Sequence, residues 1–146
     1  MSKTIVLATD HAGFELKEHV KNFLQNKGYN IKDFGALEYD SLDDYPDFII
    51  PAAKHIAEHN LIGIIFGGSG QGEAMAANRI KGIRAAVFYN GPNEIVELSR
   101  MHNNANILSI GARFLSNQEA ESIIELWLST DFEEGRHEKR INKLDS

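Results

Sequence analysis

The stretch LIGIIFGGSGQGEAMAAN (61–78) determines the fold that we predict for this chain. Its unbroken apolar run, 61–66, is typical of a strand that is buried on both faces of a parallel sheet. Four glycines follow within six positions, and the segment 72–80 then has the pattern of a short helix. A strand, a glycine-rich turn and a helix in this order form half of a βαβ unit, with the turn at the carboxyl end of the strand.

The same alternation extends from this stretch towards both ends of the chain. Strands are predicted at 4–9, 29–35, 61–67, 83–89 and 105–111. Helices are predicted at 14–28, 45–60, 72–80, 93–103 and 117–130, and the charged tail predicts a further helical arm. We therefore expect a single domain, 1–146, with a Rossmann-like three-layer α/β fold, in which helices cover both faces of a five-stranded parallel sheet. The common strand order for such a sheet is 2-1-3-4-5.

That strand order predicts where a ligand would bind. Open α/β sheets bind ligands outside the carboxyl ends of their strands, at the point where the strand order reverses, here between strands 1 and 3. Strand 1 ends in TDHAGF (9–14) and strand 3 ends in FGGSGQGE (66–73). We expect these two segments to face one crevice.

Composition excludes several classes of function. Hydrophobic residues make up 42% of the 146 residues, which suits a chain with a packed core. The net charge of −6 argues against nucleic acid as the main partner. Cysteine is absent, which excludes a disulfide, a thiolate nucleophile and a cysteine-based metal site, and which suits a reducing cytoplasm. No apolar stretch reaches membrane-spanning length, so we expect a cytoplasmic protein with no membrane partner.

The glycine loop (67–72) matches none of the common nucleotide-binding motifs. A P-loop requires Lys after its last glycine, but Glu73 follows Gly72, and the dinucleotide fingerprint fails at its last position in either register. The hydrolase motif G-x-S-x-G lacks only its last glycine, at Gln71, so Ser69 stays a candidate nucleophile. A tight turn with packing glycines is the alternative that carries no function.

Glu73 lies where the helix after this loop is expected to begin. The glycines leave a row of backbone N–H groups at the helix N-terminus, which stabilises negative charge. The helix dipole favours the ionised carboxylate and partial burial opposes it. A carboxylate beside such N–H groups is suited to moving a proton at a carbon next to a carbonyl. On residue type alone, the simpler role of complementing the helix dipole is favoured.

Other candidates have similar alternatives. Asp10 ends strand 1, where it either caps the next helix or faces the crevice. His102 ends a helix, where it either complements the dipole or transfers a proton. Arg136 and Arg140 are four residues apart, so on a helix they either grip a phosphate together or form part of a solvated face. Arg113 follows strand 5 at its carboxyl end and would add to an anion site.

No residue spacing implies a metal. Four histidines are expected on helix surfaces, without a role: His19, His55, His59 and His137.

Five segments together resemble the type B ribose-5-phosphate isomerase family, which also includes the galactose-6-phosphate isomerase subunits. They are TDHAGFELK, DYPDF, GGSGQGEAMAANRIKGIRAA, SRMHNNANILSIGAR and EGRHEKR, and the similarity covers nearly the whole chain. The resemblance implies an aldose–ketose isomerase that needs no metal or other cofactor and works through a cis-enediolate. One branch of the family uses a Cys at the start of the glycine loop as its base. That position is Gly67 here, so the resemblance implies the other branch, whose glutamate matches Glu73.

The resemblance also implies roles for individual residues. Glu73 would move the proton between C2 and C1 of the open-chain sugar, and His102 would open the furanose ring. The enediolate oxygen would be stabilised by backbone N–H groups of the loop, at Gly68, Gly70 and Gly72, with help from Ser69. The residues implied to line the pocket or hold sugar hydroxyls are Asp10, His11, Tyr45, Pro46 and Asn103. Those implied to hold the phosphate are His11, Arg113, Arg136 and Arg140.

The implied partners are a phosphorylated sugar and a second copy of the chain. Members of the family are homodimers, in some cases paired into tetramers, and the resemblance implies that His102, Asn103 and Arg113 come from the partner chain. The expected substrates are ribose 5-phosphate and ribulose 5-phosphate, with a six-carbon phosphate such as galactose 6-phosphate or allose 6-phosphate as the alternative. From the residues alone, a serine hydrolase using Ser69 and a non-catalytic phosphate- or nucleotide-binding domain also stay open.

Overall fold

The computed structural model describes residues 3–146, so Met1 and Ser2 of the expected domain lie outside the described range. The strands are β1 (Thr4–Thr9), β2 (Asn30–Asp33), β3 (Ile62–Gly67), β4 (Ala85–Phe88) and β5 (Ile107–Gly111). The helices are α1 (Phe14–Asn26), α2 (Pro46–His59), α3 (Gln71–Ala77), α4 (Glu94–Met101), α5 (Asn117–Ser129) and α6 (Arg136–Ile141). These elements occur in the predicted order, and α6 is the predicted helical arm. Within residues 3–146, no helix has the length and apolar character that a membrane span requires.

All neighbouring strands of the sheet are parallel, and their order is β2-β1-β3-β5-β4. The predicted fold class is confirmed, but the predicted order 2-1-3-4-5 needs one correction, because β4 and β5 exchange places. β5 is buried along its whole length, whereas β4 is only partly buried and forms the edge of the sheet. The large aliphatic side chains of β5, Ile107, Leu108 and Ile110, are buried in the interior position, and the small Ala85 and Ala86 of β4 stay partly accessible at the edge. The residue after β5 therefore lies beside the end of β3, where Gly67 pairs with Gly111.

Two hydrophobic layers hold the sheet between its helices. Alternate residues of a strand point to opposite faces, so Leu7 packs with α1 and α5 on one face while Val6 packs with α2 and α3 on the other. Trp127 of α5, which is 1% exposed, is the largest buried side chain of the first layer. The helices thus fix the strand ends from which the candidate site is built.

A buried ion pair ties α1 to the end of β2. The side chain of Lys17 is fully buried, and its Nζ donates to both carboxylate oxygens of Asp33 at 2.8 Å and to the carbonyl of Ala36 at 2.7 Å. Burial alone would raise the pKa of Asp33, but hydrogen bonds from Lys17, the Gly35 N–H and Lys21 outweigh it and lower that pKa. The pair anchors the start of the loop 34–45, which leads to the candidate site.

Candidate active site

The glycine loop connects β3 to α3 in a fixed conformation. Gly70 has a φ of +80°, in the left-handed region, and a Cβ there would lie 3.1 Å from backbone atoms of Ser109 and Ile110. Both conditions disfavour a side chain at this position. The hydroxyl of Ser109 donates to the carbonyl of Gly70 at 2.7 Å, so β5 holds the loop in place.

The side chain of Glu73 folds back over the start of this loop. Glu73 lies in the first turn of α3 and is only 5% exposed. A Cβ built on Gly67 would lie 2.1 Å from the carboxyl carbon of Glu73 and 2.2 Å from each of its oxygens. The carboxylate therefore does not face bulk solvent, and it occupies the space above Gly67.

Burial has the largest effect on the protonation of Glu73. It raises the pKa of the carboxyl group, and the negative charge of Asp10 adds to the rise. The backbone N–H groups of Glu73 and Gly70 and the charge of Arg113 lower it, but the net direction is upwards. From the sequence, the helix dipole and burial were expected to shift the pKa of Glu73 in opposite directions, and the effect of burial is the larger one. A carboxylate with a raised pKa is better matched to proton transfer near neutral pH.

Two side chains from other elements contact the loop. The hydroxyl of Tyr45 lies 2.8 Å from the position that a Cβ on Gly72 would occupy. The guanidinium carbon of Arg113 lies 2.9 Å from the position that a Cβ on Gly68 would occupy. The backbone N–H of Arg113 also donates to the carbonyl of Gly68 at 3.1 Å. The expectation that Arg113 reaches a site only from a partner chain is therefore corrected, because the exchange of β4 and β5 places it beside the loop of its own chain.

The segment after β1 contributes Asp10 and His11. Asp10 is 7% exposed, and its Oδ1 accepts from the N–H of Ala12 at 3.0 Å. It therefore caps the short 3₁₀ turn His11–Gly13 and at the same time lies close enough to Glu73 to affect its charge. Thr9 of β1 pairs with Phe66 of β3, so the segments that follow the two strands lie side by side. Asp10 both caps the turn and approaches Glu73.

Sequence reasoning missed Asp43, which binds His11. Its Oδ1 lies 3.0 Å from the backbone N–H and 2.7 Å from the ring Nδ1 of His11. The hydrogen bond to Asp43 is the largest cause of a raised pKa at His11. The acidic run DSLDDYPDF (40–48) was the only available signal, and it does not indicate which carboxylate meets a residue 32 positions away.

Ser69 does not have the surroundings of a hydrolase nucleophile. Its hydroxyl accepts from the N–H of Gln71 at 3.2 Å, which is a local turn contact. Within residues 3–146, no histidine ring donates to or accepts from this hydroxyl. The contact gives Ser69 a place in the loop but no general base.

The remaining predicted site residues lie at the opposite end of the sheet, near the amino ends of the strands. His102 ends α4, which returns from the carboxyl end of β4 to the amino end of β5. Asn103 lines a cavity of about 380 Å³ together with Arg84, at the start of β4, and Asp145. Arg136 and Arg140 belong to α6, whose His137 stacks on His102. One chain thus does not bring His102, Asn103, Arg136 and Arg140 to Glu73.

The expectation that His137 is a surface residue is wrong. It is 7% exposed, and its ring stacks on that of His102 with centroids 4.3 Å apart. Nε2 atoms of both rings approach Glu133, at 3.6 Å from His102 and 3.5 Å from His137. Burial lowers the pKa of His137, and the neighbouring His102 lowers it further. The stacking is invisible in the sequence because the tail must fold back onto α4.

Comparison with known proteins agrees with the geometry. The model of the Ribose/Galactose Isomerase family matches residues 5–144. A protein named probable ribose-5-phosphate isomerase B, from Mycoplasma genitalium, is 38% identical over 146 residues, which cover 99% of this chain and 95% of that protein. The ribose-5-phosphate isomerase B of Mycolicibacterium paratuberculosis is 41% identical over 142 residues, covering 96% of this chain and 88% of the relative.

Solved structures have the same fold. The crystal structure of ribose-5-phosphate isomerase B from Mycoplasma genitalium, with bound ribulose-5-phosphate, superposes with a TM-score of 0.92 at 38% identity, covering 99% of this chain and 95% of that one. A ribose 5-phosphate isomerase from Thermotoga maritima gives a TM-score of 0.92 at 42% identity, with 99% of both chains covered. The similarity therefore extends through every strand and helix of the chain.

Proposed function

The chain belongs to the ribose/galactose isomerase family, and we propose that it interconverts ribose 5-phosphate and ribulose 5-phosphate. The observation that carries the proposal is the buried carboxylate of Glu73, which lies over the backbone of the glycine loop. The names of the relatives favour the five-carbon substrate over a six-carbon phosphate.

In the proposed reaction, Glu73 removes the proton from C2 of the open-chain aldose. The electron pair of the C–H bond forms the C1–C2 double bond, and the carbonyl electrons move to the oxygen on C1. Backbone N–H groups of the loop, at the N-terminus of α3, stabilise this negative charge. Transfer of a proton between the two oxygens and return of the first proton to C1 gives the ketose. The raised pKa of Glu73 makes it both an adequate base and an adequate acid for the return step.

Sugar and phosphate would be held by side chains around the loop. Asp10 and Tyr45 would bind hydroxyls, and Ser69 would assist the loop. Arg113, beside Gly68, and His11, at the end of β1, would bind the phosphate. Binding energy from a phosphate remote from C1 and C2 helps to position the reacting carbons.

The site would be completed by a second copy of the chain. Four of the implied site residues lie near the amino ends of the strands, away from Glu73 of the same chain: His102, Asn103, Arg136 and Arg140. In a two-fold homodimer, the surface near the amino ends of one chain's strands can face the carboxyl ends of the other chain's strands. The symmetry makes the same contact occur twice, with the roles of the two chains exchanged. His102 of one chain would then open the ring of a sugar bound at Glu73 of the other, with Asn103 and the two arginines supplying further contacts.

The proposed reaction belongs to the pentose phosphate pathway. The absence of cysteine from the sequence suits the reducing cytoplasm, where we place the enzyme.

A coupled assay tests the proposed function. Ribose 5-phosphate and the six-carbon phosphates are compared on the wild type, on Glu73→Gln and on Glu125→Gln, an exposed glutamate of α5 that serves as the control. We expect turnover of ribose 5-phosphate by the wild type and the control, and a loss of about 10²–10⁴-fold or more in Glu73→Gln. A wild type that turns over none of the sugars, or a Glu73→Gln variant that keeps full activity, contradicts the proposal.

A further inference from the structure

We propose that Asp43 is a positioning residue that holds the ring of His11 in one orientation, with Nδ1 turned towards Asp43 and Nε2 free to bind the phosphate of the substrate. The inference rests on the proposed function, in which His11 contacts that phosphate. It adds a residue that neither the sequence patterns nor the resemblance indicated.

The geometry fixes both the backbone and the ring of His11. One oxygen of Asp43, Oδ1, accepts from the His11 backbone N–H at 3.0 Å and lies 2.7 Å from the ring Nδ1. An ionised carboxylate only accepts hydrogen bonds, so Nδ1 must carry the proton of this pair. Two hydrogen bonds to one oxygen leave the ring little freedom to turn. The bond to Asp43 does not use Nε2, which is the atom left for a ligand.

The charges around His11 favour its protonated form. Asp10 precedes it, and the loop 34–45 brings Asp40 and Asp43 towards it, with the ring of Tyr39 edge-on at 6.2 Å between centroids. The 3₁₀ turn Ala112–Phe114, which packs against that of His11, carries the positive Arg113. The hydrogen bond to Asp43 is the largest effect and raises the pKa of His11, burial opposes it, and the negative charges add to the rise. A protonated ring donates a charge-assisted hydrogen bond to a phosphate oxygen.

Among the described residues, His11 is the one side chain that forms a hydrogen bond or an ion pair with the carboxylate of Asp43. Its side chain is 9% exposed, and within residues 3–146 its second oxygen, Oδ2, is buried without a hydrogen-bond partner. His11 supplies the one ion pair that the described residues give Asp43. A buried carboxylate is costly unless it is paired, so this contact contributes to keeping His11 charged and in place.

The experiment compares Asp43→Asn with Asp44→Asn across pH 6 to 9. The first substitution preserves shape and removes the charge beside His11, and the second removes the same charge from the exposed neighbouring residue. We expect Asp43→Asn to raise KM for ribose 5-phosphate about tenfold or more at neutral pH, with a smaller change in kcat. Because the pKa of His11 falls when the charge is removed, KM should also start to rise at a lower pH than in the wild type. Asp44→Asn should behave as the wild type.

A second measurement is made on the wild-type protein and does not depend on turnover. NMR titration of the ring of His11 in the wild-type protein, with the signal assigned by a His11→Asn variant, should show a pKa above the ordinary value of about 6.5. Inorganic phosphate should shift the same signal, and should do so less at a pH where the ring is neutral. A wild-type His11 that titrates at or below the ordinary value overturns the inference, as does an Asp43→Asn enzyme whose KM profile matches Asp44→Asn. A wild type that is inactive on ribose 5-phosphate but shows the raised pKa and the phosphate shift contradicts only the proposed function.

Discussion

The carboxyl carbon of Glu73 lies 2.1 Å from the position that a Cβ on Gly67 would occupy. The acid side chain thus fills the space of the side chain that Gly67 lacks. In the family that the sequence resembles, one branch places a cysteine base at this position and the other uses the glutamate. The geometry gives a physical reason for the alternation, because a side chain at residue 67 would require this carboxylate to move from its place.

Gly67→Ala should therefore disable the proposed site. The added methyl group must displace the carboxylate, which costs about 1–3 kcal/mol of folding stability through overpacking. The misplaced base should lower kcat by at least about 10²-fold. Thermal unfolding and steady-state kinetics measure both effects. The matched control is the double variant Gly67→Ala/Glu73→Ala, which should be inactive. In the Glu73→Ala background, Gly67→Ala should cost little stability, because no carboxylate has to move. Equal stability costs of Gly67→Ala in the two backgrounds would mean that the two sites are not coupled.

The raised pKa of Glu73 predicts the acid limb of the rate profile. The base acts only when it is ionised, so kcat should fall as the pH drops through the pKa of Glu73 in the substrate complex. Burial raises that pKa, so the fall should begin at a higher pH than an ordinary glutamate would give. The measurement is kcat at saturating ribose 5-phosphate, since kcat/KM also reports ionisations of the free enzyme. A kcat that stays constant down to about pH 4.3, the ordinary value for a glutamate, contradicts the assignment.

Substitution of Lys17 by Met should destabilise the fold strongly. It leaves the buried Asp33 with the N–H of Gly35 at 2.9 Å and the longer contact to Lys21 at 3.1 Å, and it removes the donor to the carbonyl of Ala36. Breaking a buried pair by removing one partner costs about 3–5 kcal/mol. The control is Lys27→Met, because Lys27 forms an exposed pair with Glu125 that contributes about 0–1 kcal/mol. Urea unfolding compares the two variants, and a similar small loss in both would show that the buried pair does not stabilise the protein.

Mixing two inactive variants should restore activity if each site is shared between chains. Glu73→Gln and His102→Asn are each expected to be nearly inactive as pure proteins. After subunit exchange, a mixed dimer has one site with both residues intact, so an equal mixture should recover about a quarter of wild-type activity. The coupled assay, run before and after exchange, measures the recovery. A mixture that exchanges subunits, as shown by mass spectrometry of differently tagged chains, and yet stays inactive refutes the shared site.

The amino-acid sequence was sufficient to predict the order of the elements, the parallel α/β class and the position of Glu73 in the first turn of α3. These features depend on local patterns: apolar runs, helical periodicity and glycines in a turn. It also placed Asp10 beside the glycine loop, because β1 and β3 are neighbours in either strand order.

Contacts between residues far apart in the chain became visible in the folded structure. The exchange of β4 and β5 brings Arg113 to Gly68, and the loop 34–45 brings Asp43 to His11. The direction of the pKa shift of Glu73 likewise follows from its burial. α4 runs from the carboxyl end of β4 towards the amino end of β5, and His102 therefore lies at the end of the sheet opposite to Glu73. These relationships arise from packing between segments far apart in the chain, and local sequence patterns carry no information about such contacts.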